Sequence, residues 1–436
     1  MKSICRSIPC FLLSVVLASP LVQAQMTLSE AYRATLDYNA RLQGERARAQ
    51  AEREGVSEAW SGIKPKLEAT AALGSAKTYQ VFSNTEERNS DNYERYDVTL
   101  NQVIYSHKSF TAISRAKRAA ELAGEEVKGV ENDTAVEVIN TYIDVVRTQR
   151  LKNILSAEKE SHLYRLQQVE EMLGRGLTSL AEVLDARAEV DQIKARLVEV
   201  NNSHRVALQA LSQLTGQAVD AVVALDESYW KDIPALLQQN WLQAALEYSP
   251  KIRKAEAEVA LAEAGSSHES AGHYPELYLY GRYSDNDTDT TTLREESKVE
   301  LQLRIPLYSG GGVSARARGA ALREARALSM LDYARRQVKT EVEQLTSELE
   351  GFHDNINALF QSLASSRAAE NAAQEGFNAG VRRLKELLDA QQRRSRVEQE
   401  LVNAIYESNK KYASLLSLSG KLNLQSVQQW SARSGS

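Results

Sequence analysis

Acidic residues form pairs at two corresponding points of the chain, where they could line a cation-selective constriction. The pairs are Glu182 with Asp185 and Glu386 with Asp389, each spaced i,i+3. On a helix this spacing places both carboxylates on one face. If several copies of the chain surround an axis, each carboxylate becomes one member of a ring. A ring of carboxylates attracts cations and repels anions, so the pattern indicates an ion-selective mouth.

Glu182 also has a local structural interpretation. Ser179 precedes it by three residues, which is the capping-box pattern, and acids are stabilised near a helix N-terminus in any case. Glu386 has no Ser or Thr three residues before it, so capping does not explain it. The pore interpretation is therefore favoured for Glu386 and Asp389, while both interpretations remain open for Glu182.

Other residues that could do chemistry do not form a recognisable site. Gly310-Gly311-Gly312 is not followed by Gly-Lys-Ser/Thr, so it indicates a turn and not a phosphate-binding loop. The six histidines are scattered, and His268 with His273 is not a metal-ligand spacing. No set of nucleophile, base and orienting group is visible. The sequence therefore predicts no enzyme, no metal site and no cofactor.

The first 24 residues have the layout of a bacterial secretory signal peptide. Lys2 and Arg6 give a positive start, an apolar stretch follows, and Val22-Gln23-Ala24 is a cleavage pattern. Both cysteines of the chain lie in this segment, so the exported protein is expected to contain no disulfide.

Net charge and hydropathy exclude two classes of protein. The formal charge is −5, without a basic cluster, which argues against a nucleic-acid partner. No run of 18 apolar residues follows residue 24, so no membrane-spanning helix is expected.

An internal repeat divides the chain into two halves. Residues 36–42 match residues 246–252, and Gly176 to Gly216 aligns without a gap on Gly380 to Gly420. The repeat of about 205 residues is too long for a solenoid unit and indicates duplication of a half-protein. The predicted organisation is a signal peptide at 1–24, a first repeat at 25–216, a linker at 217–240, a second repeat at 241–420 and a C-terminal tail at 421–436.

Each half is predicted to contain a long helical hairpin. No proline occurs between Pro65 and Pro234 or after Pro306, and apolar residues there recur in alternating steps of three and four. The second return seam is less apolar, because it contains Arg394, Ser408 and Lys411. The expected helices are 108–173 with 179–215 in the first half and 313–375 with 382–419 in the second.

The proline-bearing segments are predicted to be membrane strands. The strands are expected at residues 67–77, 93–105, 277–283 and 299–307, with polar loops at 83–92 and 284–289. Their alternation and aromatic ends are typical of an outer-membrane β-barrel. Four strands cannot close a barrel, and open edges are not tolerated in lipid, so several chains must share one. Two copies would give eight strands and three would give twelve.

This arrangement resembles the TolC family of outer-membrane efflux and secretion ducts. The most specific motifs are Gly380-Val381-Arg382 running into Leu388-Asp389-Ala390, its first-half counterpart, and Ile305-Pro306-Leu307-Tyr308-Ser309-Gly310-Gly311. The resemblance implies a mixed α/β membrane protein and a homotrimer. It implies a twelve-stranded β-barrel continuous with a long periplasmic α-helical coiled-coil barrel. It also implies a location in the outer membrane, extending into the periplasm.

The resemblance also implies partners and roles for individual residues. The expected partners are outer-membrane lipid, a periplasmic adaptor and an inner-membrane transporter, of ABC type in preference to proton-driven. Acids matching Glu386 and Asp389 line the periplasmic aperture of the family, and Arg382 matches an arginine that helps hold the tunnel shut. The family's aromatic partner is a tyrosine, but Phe377 stands there and lacks the hydroxyl. Ala181 likewise replaces a hydroxyl residue. The closed-state lock is therefore expected either to be looser than in the family or to depend on Arg382 pairing with an acid such as Glu182.

The hairpin tips are the expected docking surface for the adaptor, because they face the inner membrane. The tip residues are Gly176, Leu177, Gly380 and Val381. The cargo is either a secreted protein, through a type I system, or a small molecule. Pro306 to Val313 favours secretion, because it resembles secretion-type members. The competing hypothesis is a periplasmic coiled-coil protein with a structural or adhesive role and no pore, which would have no need of the alternating strands.

Overall fold

The computed structural model describes residues 25–82, 85–288 and 291–432. The predicted signal peptide, with both cysteines, lies outside these residues. In chain order, the helices of the described part are α1 Leu28–Tyr38, α2 Ala40–Ser61, α3 His107–Gly174, α4 Leu180–Thr215, α5 Ile233–Leu237, α6 Trp241–Tyr248, α7 Pro250–Ser270, α8 Gly312–Asn378, α9 Leu384–Leu418 and α10 Leu424–Ala432. Short 3₁₀ turns occur at Tyr229–Asp232 and Ala271–His273.

The four strands form one antiparallel sheet in chain order. The strands are β1 Lys66–Phe82, β2 Thr85–Ser106, β3 Glu276–Thr288 and β4 Thr291–Arg304, so β1 and β4 are its edges. The predicted polar loops are wrong in extent, because most of their residues continue the strands. An antiparallel pair needs no apolar side chains to continue in water, since its backbone groups satisfy one another and polar side chains remain solvated. Residues 83–84 and 289 of those loops lie outside the described part.

The register separates the sheet into an apolar and a polar face. Residues directly opposite each other in an antiparallel pair share a face. One row of partners across the four strands is Leu67, Leu100, Gly281 and Val299. The next row along, displaced by one residue, is Glu68, Thr99, Arg282 and Lys298. One face is therefore apolar over several rows, and the other carries charged and polar groups.

The predicted hairpins are confirmed, with ends that shift by at most three residues. α3 has 68 residues and α8 has 67, so each is about 100 Å long at 1.5 Å per residue. Gly310 and Gly311, both with positive φ, turn the chain from β4 into α8. Among the described residues, no helix combines the length and the apolar character needed to cross a membrane.

The helices form a layer that continues the sheet. Next to the strands, the packed pairs are α2 with α3, α3 with α7, and α7 with α8. Towards the hairpin ends, α9 lies between α3 and α8, while α4 packs on α3. The first hairpin, α3–α4, therefore meets the second, α8–α9, along a contact between α3 and α9. We call this contact the interhairpin seam.

Candidate functional site

Two tight turns close the hairpins. Gly176 and Gly380 both have the left-handed backbone, with φ of +70° and +72°. Their N–H groups donate to the carbonyls of Leu173 at 2.9 Å and Phe377 at 3.0 Å, which ends α3 and α8. The residue after each glycine is apolar and exposed: Leu177 is 67% exposed and Val381 is 79% exposed. Each tip therefore presents one solvated aliphatic side chain.

The first acidic pair is partly tied into its own helix end. The hydroxyl of Ser179 accepts from the Glu182 N–H at 3.3 Å, as a helix cap does. The Glu182 carboxylate accepts a hydrogen bond from the hydroxyl of Thr178, and its side chain is half-buried. Asp185 is exposed. Glu182 is therefore partly committed to local structure.

The second acidic pair is free of such local contacts. α9 begins after Arg383, whose side chain forms no capping bond. Glu386 and Asp389 are exposed, whereas Leu387 and Leu388 between them are buried in the hairpin packing. Among the described residues of the single chain, neither acid forms an ion pair. Both carboxylates are thus available to solvent.

Phe377 contacts a different arginine from the one expected. The guanidinium of Arg165 lies 5.3 Å from the centre of the Phe377 ring, a cation–π distance, and also donates to Gln374. Arg382 instead lies against Gly376. A Cβ added to Gly376 would be 2.9 Å from the side chain of Arg382. Within the described part of one chain, Arg382 has no ion-pair partner. The structure therefore joins α3 to the end of α8 through Arg165.

Arg165 belongs to a group of buried and half-buried polar residues that the sequence interpretation missed. We call it the interhairpin cluster; its members are Glu158, His162, Arg165, Arg196, Gln391, Arg394 and Ser395. Ser395 on α9 donates to the Glu158 carboxylate on α3, and Arg394 pairs with Glu370 and Glu398, each at 2.6 Å. The available signal was the spacing of Glu158, His162 and Arg165, which continues the buried stripe of α3.

Burial and charge shift the pKa of two groups in this region. Burial lowers the pKa of His162 from 6.5 to about 4, helped by the charges of Arg196, Arg165 and Arg394. Burial raises the pKa of Glu189 on α4, the charges of Glu158 and Asp389 raise it further, and Arg196 opposes them. In the described residues no group of three or more His, Cys, Asp or Glu is placed to hold a metal ion.

Comparison with known proteins gives concordant results. A family model described as outer membrane efflux protein matches residues 31–217 and 241–421. The outer membrane protein TolC of Vibrio cholerae is 25% identical over 422 residues, which cover 93% of each chain. The alkaline protease secretion protein AprF of Pseudomonas aeruginosa is 24% identical over 345 residues, covering 78% of this chain and 72% of AprF.

The fold is similar to that of solved outer-membrane proteins. The structure of VceC from Vibrio cholerae superposes with a TM-score of 0.78 at 17% identity, covering 90% of this chain and 96% of that chain.

Proposed function

Because the chain belongs to the outer membrane efflux protein family, we propose that it is the exit duct of a tripartite export system and works as a homotrimer. The chain is an outer-membrane channel protein that extends into the periplasm. Three copies contribute four strands each to a twelve-stranded barrel, and their hairpins continue it as a helical tunnel. Edge strands β1 and β4 of neighbouring copies pair, so no edge faces lipid.

The exposed apolar face of the sheet is the observation that carries this proposal. Leu67, Val299 and Leu301 are 72%, 79% and 68% exposed in the single chain. The opposite face holds ion pairs, including Arg282 with Asp97 at 2.6 Å and Lys298 with Glu300 at 2.6 Å. An apolar exterior and a polar interior are what a barrel in lipid requires. A periplasmic coiled-coil protein without a pore would have no need of an exposed apolar face on its sheet.

Two neighbouring residues of β4 test this assignment. Leu301→Lys places a charge on the lipid face, at a cost of about 2–4 kcal/mol near the middle of the bilayer. Gln302→Lys adds the same charge on the polar face and is the matched control. Heat-resistant trimers extracted from the outer membrane should be lost in the first variant and retained in the second. Equal amounts of trimer in both would contradict the proposed faces.

We propose that Glu386 and Asp389 form the ion-selective mouth, because both acids are exposed and neither forms an ion pair with another described residue of the single chain. The acids Glu182 and Asp185 are secondary contributors, since Glu182 is held by Thr178. The closed state is held by Arg382 between copies and, within each copy, by Arg165 on Phe377 and Gln374. The contact of Arg165 compensates for the hydroxyl that Phe377 lacks.

The tips dock the periplasmic adaptor. Leu177 and Val381 are exposed beside the turn glycines Gly176 and Gly380, which supports an apolar contact there. Photocrosslinkers at Leu177 or Val381 should capture the adaptor. The control is Val198, which is 69% exposed but lies half-way along α4. Capture from Val198 alone would overturn the docking site.

The cargo proposed is a secreted protein, delivered through an ABC-type transporter. The segment from Pro306 to Val313 and the similarity to a protease secretion protein support this choice. Deletion of the gene should remove a specific protein from the culture medium. Unchanged secretion together with increased sensitivity to toxic small molecules would instead assign the duct to efflux.

A further inference from the structure

The interhairpin cluster places ionisable groups in a buried stripe of α3 that is apolar immediately before and after them. Along α3, the buried stripe runs through Leu151 and Leu155 and resumes at Val169. Between them, Glu158, His162 and Arg165 are 4%, 2% and 7% exposed. Buried ionisable groups are expensive unless they are fully paired, so three in succession need a reason.

The cluster is incompletely paired. Glu158 Oε1, His162 Nδ1 and Gln391 Oε1 have no hydrogen-bond partner among the described residues, although each is shielded from solvent. The cluster also joins the two hairpins, because Ser395 of α9 bonds to Glu158 of α3. A seam held by imperfectly satisfied polar groups gains less from closure than an apolar seam does.

We propose that His162 is a proton-binding site at which protonation loosens the contact between the two hairpins. The charged groups around the cluster come from all four helices. They are Glu158 and Arg165 on α3, Glu189 and Arg196 on α4, Glu370 on α8, and Asp389, Arg394 and Glu398 on α9. The positive charges of the three arginines disfavour a further positive charge on His162 while the seam is closed. Separation of the hairpins lets water reach the imidazolium.

The direction of the pH effect follows from the two states of His162. The pKa is about 4 when the imidazole is buried and 6.5 when it is solvated. The closed seam therefore has its full stability above about pH 6.5 and loses it as the pH falls towards 4. Lowering the pH from 7.5 to 5.5 should shift the opening equilibrium about tenfold. Glu189 acts in the opposite direction, because its raised pKa favours the closed seam as the pH falls.

Introduced cysteines can report this opening, since both native cysteines lie in residues 1–24. Ala186→Cys probes the seam, because Ala186 is 1% exposed and packs with Leu384 and Leu388 of the other hairpin. Ala373→Cys, which is 0% exposed within the second hairpin, is the control. Maleimide labelling of the assembled protein is normalised to the unfolded chain at each pH. From pH 7.5 to 5.5, labelling at position 186 should rise about tenfold and labelling at position 373 should not change.

A second substitution assigns the effect to His162. In a His162→Gln background the rise at position 186 should disappear, whereas in a Glu189→Gln background it should be at least as large. A rise that survives His162→Gln, or no rise in the parent, would overturn the proposal. Hydrogen exchange of the unaltered protein gives the same test without substitution. After correction for intrinsic rates, residues 158–169 and 388–398 should exchange faster at pH 5.5, while residues 349–363 should not.

Discussion

The two hairpins are copies of one plan, yet they bury different chemistry. In the second hairpin, the buried stripe of α8 is apolar throughout, with Val342, Leu349, Ile356 and Leu363 each at most 5% exposed. In the first, the corresponding stripe of α3 contains Glu158, His162 and Arg165, which are the α3 members of the interhairpin cluster. The second hairpin is therefore held internally mainly by apolar packing, beside ion pairs such as Arg394 with Glu370. Its contact with the first hairpin depends in larger part on polar groups.

This difference teaches where the molecule can change shape. Apolar packing inside a hairpin cannot be replaced by water, so separating α8 from α9 loses the full burial energy. Polar groups at the interhairpin seam can exchange their partners for water at lower net cost. Each hairpin should consequently move as a unit, and the seam between hairpins should open first.

The largest expected effect lies inside the second hairpin. Ile356→Ala leaves a cavity in the contact between α8 and α9, where Ile356 is 0% exposed. The substitution should lower the free energy of unfolding by about 2–5 kcal/mol. Denaturant unfolding of the extracted protein, followed by circular dichroism, measures the loss. If Ile356→Ala lowered the free energy of unfolding by less than Ser395→Ala at the interhairpin seam does, the proposed difference between the α8–α9 contact and that seam would be contradicted.

A smaller effect is expected at the interhairpin seam. Ser395→Ala removes the hydroxyl that Glu158 accepts from, leaving a buried carboxylate with one bond fewer, at a cost of about 1–3 kcal/mol. The same unfolding measurement applies. Labelling of a cysteine at buried Ala186 should also increase, because that residue packs with Leu384 and Leu388 of the other hairpin. Unchanged labelling would show that the seam does not depend on this bond.

The two hairpin ends should respond in opposite directions to changes in capping. Ser179→Ala removes the cap of α4 and should destabilise by about 1 kcal/mol. Arg383→Ser supplies a cap that α9 lacks and should stabilise by a similar amount. Thermal unfolding of the two variants compares them directly. Destabilisation by both would mean that Arg383 has a contact more valuable than a cap.

The last change should leave stability nearly unaltered and affect only ion preference. Glu386→Gln with Asp389→Asn removes the exposed carboxylates of the second tip and should lower cation selectivity and cation block in planar bilayers. Glu182→Gln, where the acid is held by Thr178, is the matched control and should change selectivity less. Normal trimers with unchanged selectivity in the double variant would place the controlling charges elsewhere.

Sequence reasoning succeeded where a repeated pattern determines the structure. Proline placement and apolar periodicity predicted α3, α4, α8 and α9, and alternation predicted the four strands. The interhairpin cluster was missed because Glu158, His162 and Arg165 have the composition of a solvated face until α9 is placed against them. The contact between Arg165 and Phe377 was missed for the same reason, since the residues are more than 200 positions apart and no periodicity links them. The strands extend further into the polar segments than predicted, because pairing in water leaves no apolar signal. At its other end the last strand is shorter than predicted, since β4 ends at Arg304 and not at Leu307.

The central claim is the proposed homotrimer, in which three chains share one barrel and the open edges of each four-stranded sheet, as the described residues form it, are paired. Mass determination of the protein extracted in detergent tests this claim most directly. The predicted result is a particle containing three chains, with no folded smaller species at equilibrium. A stable, folded monomer or dimer would contradict the account.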